Sequence, residues 1–510
     1  MTPESASPKT QTAPIILTID IGTSSTRAIL FDATGHVVDD LVAQKQSRMT
    51  TTPDGGATFD AEKVMAAVVA VIDEVLARAG ERAKQIGAVA VDTLVGNVLG
   101  VGEDGTPKTP VYTYADTRNA AATQALREEL SAFGAEAAHQ RTGCLMHTSY
   151  LPARFRWLAE DEPELFKSAA RWASVGEYVY YHFFKEWRVS YSVASWSGLL
   201  NRRSLQWDAE WLDMLPVKSE QLSPLGDLST PCCGLQAEWA KRWPALAQVP
   251  WLLPVGDGAA ANIGAGCDAP DRIALTMGTT GAMRVVVGPE LTEVPDGLWL
   301  YRVDGARALL GGATTEGGNV FAWLQALLKL PDGDALEQAL ASAKPGQHGL
   351  TVLPFVAGER APGWREDARA AITGLNLHTK PVDILQASLE AIAYRFALIY
   401  RRIQPQLPRD QEHEIIAGGG ALLSSPAWLQ IMADVLGRPL HTLAEVEGTS
   451  RGLALLALEH LGAIERPAAL PPKLGTTYLP DAKRHALHQE ALAKQMEVYD
   501  RLLAPHSRPR

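Results

Sequence analysis

One short pattern occurs twice in this chain, about half its length apart. Residues 15–31 read IILTIDIGTSSTRAILF, and residues 273–285 read IALTMGTTGAMRV. Each copy is an apolar run, a Gly-led turn of small polar residues, and a second apolar run. Short β-rich runs around such a turn predict a hairpin. Repetition at this spacing predicts two α/β domains of like fold facing each other, across 510 residues. The plainer alternative is two unrelated Gly-Thr hairpins. A turn of this kind aims backbone N–H groups and hydroxyls at one point, a concavity suited to phosphate. Asp20 ends the first strand, where a carboxylate is placed to hold Mg²⁺, usually through water. The second copy has Thr276 at that place. One metal-facing carboxylate fits a single nucleotide held between two cradles. An ordinary hairpin with one exposed acid is the alternative.

The rest of the chain supports a mixed α/β architecture. Residues 60–79 have helical periodicity, and 86–92 read as a buried strand with a loop at 93–97. Residues 98–102 and 111–115 read as strands. Residues 119–215 are mostly helical and rich in Trp, Tyr and Phe. Residues 216–254 carry many Pro and Trp without a strong period and read as a connector. A further apolar segment, 251–255, ends in Gly256-Asp257-Gly258, where a helix begins. Residues 308–318 run from a strand into a Gly/Thr-rich turn and an amphipathic helix. Residues 382–404 form a long helix. Residues 414–417 form a strand that ends in Gly418-Gly419-Gly420, and helices follow to 503. The expected division is a disordered lead at 1–14, a first domain at 15–254 and a second at 255–505.

The charge balance excludes some partners. With 58 acidic against 47 basic residues, the net charge is −11. That disfavours nucleic acid or an anionic membrane as the main partner. No apolar run is long enough to span a membrane. The four cysteines show no metal spacing and suit a reduced, cytoplasmic chain.

Three Gly-rich turns lie at strand ends, at 22–26, 278–281 and 418–420. None is a Walker A loop. Residues 264–269 fit G-x-G-x-x-A formally, but Pro270 follows and no clean helix opens there, so a dinucleotide site is rejected. HExxH and CxxC are absent. Asp257, with glycine on both sides, is the best candidate base. Phosphoryl transfer needs positioning, charge neutralisation and a group to take a hydroxyl proton. The alternative for Asp257 is a helix N-cap. Asp116 and Arg118 form either a pair that binds a hydroxyl or carboxylate, or a surface ion pair. Arg27 and Arg284 face phosphate or are strand-end charges. His147 and His378 carry no assigned chemistry.

Six segments, taken in order, resemble the FGGY carbohydrate kinases, within the actin/Hsp70/sugar-kinase superfamily. DIGTSSTRAILFD (20–32) is similar to the first phosphate loop, and YADTR (114–118) to the sugar-site W-x-D-x-R. GDGAAANIGAG (256–266) resembles the catalytic-Asp segment, and TMGTTGAM (276–283) the second phosphate loop. LPFVAGERAPGWREDARAAITGL (353–375) is similar to a characteristic stretch, and AGGGALLSSPAWLQIMADVLG (417–437) to the adenosine segment. The resemblance implies two ribonuclease H-like (actin-like ATPase) domains flanking an ATP/sugar cleft, and Mg²⁺-ATP-dependent phosphorylation of a sugar, polyol or sugar acid. It implies Asp257 as base and Asp20 at the metal. Gly22, Thr23, Ser24, Arg27, Gly278, Thr279 and Thr280 would hold the phosphates. Gly419, Gly420 and Ala421 would hold adenosine.

ASWSGLLNRRSLQWDAEWL (194–212) is similar to a segment of the family's gluconate kinases, which favours D-gluconate. Many members carry a Met-His or Arg-Glu pair where this chain has Val95-Gly96-Asn97. That departure leaves Asp92, Thr93 and Asn97, with Asp116, Arg118 and Asp257, as the substrate-facing set, and it keeps pentuloses and tetritols open. A catalytically weak regulatory protein on the same scaffold is the alternative from another class. A homodimer is compatible with the sequence.

Overall fold

The computed structural model describes residues 13–503 except 411 and 446. Most of the expected disordered lead, and the expected end at 505, therefore lie outside the described residues. The first half is built on five strands: β1 (Ile15–Ile21), β2 (Ser25–Phe31), β3 (Val37–Gln46), β4 (Ile86–Thr93) and β5 (Val255–Gly256). Their order is β3-β2-β1-β4-β5. β1 pairs antiparallel with β2 and parallel with β4. All seven residues of β1 are buried, as expected for a strand covered on both faces.

The second half is built on seven strands: β6 (Arg272–Met277), β7 (Gly281–Val287), β8 (Trp299–Arg302), β9 (Ala308–Thr314), β10 (Glu414–Gly418), β11 (Leu440–Leu443) and β12 (Leu474–Tyr478). Their order is β8-β9-β7-β6-β10-β11-β12. Its inner five, β9-β7-β6-β10-β11, repeat the first sheet. β6 is antiparallel to β7 and parallel to β10, as β1 is to β2 and β4. The repeat read from two hairpins is thus a repeat of whole sheets.

The helices show why the elements form where they do. α1 (Ala61–Ala79) starts at Asp60, whose carboxylate accepts the N–H groups of Glu62 and Lys63. Gly80, at φ +56°, closes it. Val64, Val68, Val71, Ile72 and Val75 form its buried stripe. α2 (Asp257–Gly264) follows β5 directly. α3 (Gly318–Leu327) follows β9. α4 (Pro381–Ile403) runs nearly fully buried through the second half. α5 (Pro426–Leu436) lies beyond the triple glycine, α6 (Gly448–His460) follows β11, and α7 (Ala482–Leu503) ends the described chain.

α2 and α6 occupy equivalent places after the fifth strand of each sheet, and they cross at the junction of the halves. A Cβ on Gly264 would fall on the Gly448 carbonyl oxygen, and one on Gly452 on the Ala260 carbonyl oxygen. The glycines let two backbones touch. Gly264 is also the first glycine of the rejected G-x-G-x-x-A match.

The division expected between residues 254 and 255 needs correction. Val255 and Gly256 pair parallel with Asp92 and Thr93, so this strand belongs to the first sheet. We place the division after Gly264. Residues 94–254 form an elaboration between β4 and β5. Its aromatic residues divide between the main core, with Tyr180, Phe183 and Trp251, and a separate one that includes Phe155, Trp157, Trp172 and Trp211. All four cysteines are free. Among the described residues, no helix is long and apolar enough to cross a membrane.

Candidate active site

The three Gly-rich turns occupy strand ends. Gly22 N–H donates to the Ser25 carbonyl at 3.0 Å, which tightens the β1–β2 turn and leaves Ser24 exposed and Thr23 half-buried. In the second copy, Gly278 N–H donates to the Thr280 carbonyl at 3.0 Å, and Thr279 and Thr280 are exposed. The start of α3 braces this turn. Gly318 N–H donates to Gly278 O at 2.8 Å, and Asn319 N–H to Thr279 O at 3.0 Å. The third turn lies alongside. Gly419, at φ +89°, leans on β6 so closely that a Cβ would fall on the Met277 carbonyl oxygen. Glycine is required there twice over, for the backbone angle and for the approach. Gly420 has open space where a side chain would stand, and Ala421 is half-buried beside Gly318.

Strand register sets a row of charges beside the first turn. Asp20 pairs across β1 with Arg27 on β2 and with Asp92 on β4. Arg27 donates to Asp20 Oδ2 at 2.8 Å and to Glu447 at 2.8 Å. Arg27, expected among the phosphate contacts, is therefore tied to two carboxylates and links the first hairpin to the second half. Asp92 is fully buried, and neither of its oxygens has a partner. Burial, then the neighbouring Asp20 and Asp257, push its carboxyl well above the usual range. Among the described residues, the cations that face Asp20, Asp92, Asp257 and Glu447 are Arg27 and Arg284. A divalent cation fits that surplus of carboxylates. Among the described residues, no three ligating side chains close around one point. A Mg²⁺ ion at Asp20 would thus complete its shell with phosphate oxygens and water.

Asp257 opens α2 where the halves meet. Gly256 occupies the cap position, and Asp257 Oδ1 accepts the Gly258 N–H at 2.7 Å. Burial raises its pKa to about 6, while Arg284 and the Gly258 N–H act in the opposite direction. Arg284 has no hydrogen-bonded partner at its buried Nε, and its guanidinium lies in the field of Asp257. It is therefore neither a solvated strand-end charge nor part of the second turn. A carboxylate with a pKa near neutrality can take a proton from a hydroxyl.

The other expected substrate contacts are placed differently. Asn97 donates to Leu94 O at 2.6 Å and accepts Val175 N–H at 2.8 Å, so its amide closes a loop. Thr93 is buried and donates to Leu94 O at 3.2 Å. Asp116 is buried between Arg118 and Arg154, at 2.6 Å and 3.0 Å, and accepts Ala57 N–H. Arg118 lies 4.9 Å from the Trp157 ring centre. This pair braces the first half. Asp116 is fully buried, while Arg118 is partly exposed.

Other residues converge on Asp257. Trp196 packs its indole against Gly256 and Gly258 and stacks on Tyr301 at 3.7 Å. Tyr301 and Tyr150 share a hydrogen bond of 2.6 Å. Trp364 lies beside Tyr150 and His147, with ring centres at 6.5 Å and 5.0 Å. His147 Nδ1 accepts Ser149 N–H at 3.1 Å, so Nε2 carries the proton and meets Glu366 at 3.2 Å. Two signals were present in the sequence: the GERAPGWRE segment holds Glu359, Arg360, Trp364 and Glu366, and Ser149 follows His147 by two.

Comparison with known proteins identifies relatives of this chain. The N-terminal domain model of the FGGY family of carbohydrate kinases matches residues 15–264, and its C-terminal domain model matches residues 273–459. A gluconokinase from Bacillus subtilis is 28% identical over 91% of this chain and 91% of its own length. A glycerol kinase from Allorhizobium ampelinum is 28% identical over 88% of this chain and 90% of its own. The crystal structure of a gluconate kinase from Lactobacillus acidophilus superposes with a TM-score of 0.88 at 25% identity, over 97% of this chain and 99% of that one.

Proposed function

We propose, because the chain belongs to the FGGY family of carbohydrate kinases and is thus an ATP-dependent sugar kinase, that its acceptor is D-gluconate. The observation that carries the chemistry is Asp257: a carboxylate with pKa about 6, at a helix start between two glycines, where the two sheets meet. The resemblance of residues 194–212 to gluconate kinases and the likeness to gluconokinases support the acceptor.

In this reading the turns at 22–24 and 278–280 embrace the β- and γ-phosphates, and Gly419, Gly420 and Ala421 border the nucleoside. Asp20, with Asp92 at its side, would hold Mg²⁺, which spreads the phosphate charge. Asp257 takes the acceptor hydroxyl proton as its oxygen bonds to the γ-phosphorus and the bond to ADP breaks. Arg284 keeps the Asp257 carboxylate charged and oriented before transfer. Asn97, Asp116 and Arg118 support the pocket from behind.

A coupled ADP-release assay with Mg·ATP tests the acceptor. D-gluconate is expected to turn over, with D-xylulose, L- and D-ribulose, glycerol, erythritol and L-fuculose slower. Preferred turnover of a ketose or polyol would overturn gluconate and retain the kinase.

A further inference from the structure

We propose that the Arg360 guanidinium receives the carboxylate of the substrate and so selects an aldonate over neutral sugars and polyols. This rests on the proposed function and adds the residue that distinguishes acid from alcohol. Arg360 stands at the head of a loop that Ala361 fastens to β9, through its N–H to Ala313 O at 3.0 Å. Its guanidinium lies 5.8 Å from the Trp364 ring centre. Its Nε is buried without a partner, and among the described residues the side chain makes no hydrogen bond or ion pair. Arginine does not shed its charge in a protein. A partly buried guanidinium without an anion is therefore a site awaiting one.

The carboxylates around it are engaged elsewhere. Glu359 pairs with Arg395 and accepts the Tyr499 hydroxyl at 2.6 Å. Glu366 meets Arg127 at 3.4 Å and His147 at 3.2 Å. Asp257 faces Arg284. His147 adds no charge. Burial, then Arg360 and Arg127, hold its imidazole well below the usual range, so it stays neutral. Arg360 is the cation left over.

The geometry also gives a direction. Trp364, Tyr150, Tyr301 and Trp196 form a continuous series of contacts, through the Tyr150–Tyr301 hydroxyl pair, from Arg360 to the Gly256-Asp257-Gly258 turn. The Tyr114 phenol lies in the fields of both Asp257 and Arg360. An open-chain polyhydroxy acid laid past the exposed Tyr114 ring brings its carboxylate to Arg360 and a hydroxyl near its other end to Asp257. The phosphoryl group then goes to the end of the chain remote from the carboxylate. A neutral polyol of the same length leaves the guanidinium unpaired.

The test compares wild type, Arg360→Gln and Arg360→Lys on D-gluconate and on D-glucitol, the same carbon chain with the carboxylate reduced to an alcohol. D-glucitol is read as substrate or as competitive inhibitor, and ADP affinity is measured on each preparation to report the fold. Loss of a charge-assisted pair is expected to raise the gluconate KM of Arg360→Gln about 10- to 100-fold. The D-glucitol constant should stay within about threefold, and Arg360→Lys should recover part of the gluconate affinity. A gluconate KM within about threefold of wild type in an Arg360→Gln preparation that binds ADP normally overturns the assignment and leaves the proposed acceptor standing. Failure of the wild type to phosphorylate any aldonate overturns both.

Discussion

Asp257 is held at a pKa of about 6 by burial against the pull of Arg284. In its proposed role the charged carboxylate is the active form, so lowering the pH through this value protonates the base. The kcat/KM of the free enzyme should fall about tenfold per pH unit below pH 6 and be level above it. Asp257→Asn should lower kcat about 10²- to 10⁴-fold, because general-base catalysis contributes about that much. ADP affinity should be retained. Rate profiles and nucleotide titrations of both proteins would check this, and an unshifted profile with full turnover in the variant would remove Asp257 as base. At this scale the sequence reveals groups whose neighbours define them: Asp20 at a strand end, Asp257 between glycines. It conceals groups whose partners are remote. Asn97 is consumed by Val175, and Asp116 by Arg154, thirty-eight residues on. The free Arg360 is defined by partners it lacks, which no local pattern encodes.

At the scale of elements, period and turn chemistry carried most of the information. The α1 stripe, the helices α4 and α7, the two hairpins and the triple glycine were all legible, since each is written in a contiguous run. The crossing of α2 and α6 was not, because its glycines lie in separate segments and matter only when the two backbones touch. Gly452→Ala sets a methyl group against the Ala260 carbonyl, with backbone on both sides and no flexible side chain to yield. The cost is about 1–3 kcal/mol. A melting temperature lower by about 2–4 °C for each kcal/mol is expected. Calorimetry that finds no change would show that the helices can part without penalty.

Several contacts hold the two halves together. They include the helix crossing, the Arg27–Glu447 pair and the first half's elaboration, which docks on the edge of the second sheet: His139 Nε2 meets Leu298 O at 2.7 Å, and Leu300 N–H donates to Gly143 O at 2.9 Å. The turns at 22–24 and 278–280 are tied to different sheets, so closure on substrate is free to bring them together. Small-angle scattering should record a more compact particle with D-gluconate and a nonhydrolysable ATP analogue than without them. Identical curves would contradict closure.

Asp257 is the first residue of the very helix that makes the crossing, immediately after a strand of the first sheet. In a lever, the fulcrum travels least and the far ends travel most. On the proposed assignment, the proton acceptor would therefore keep its position while the nucleotide grips swing. Changes that loosen or tighten ATP exchange can then accumulate at the tips of the arms without disturbing where the acceptor hydroxyl is read.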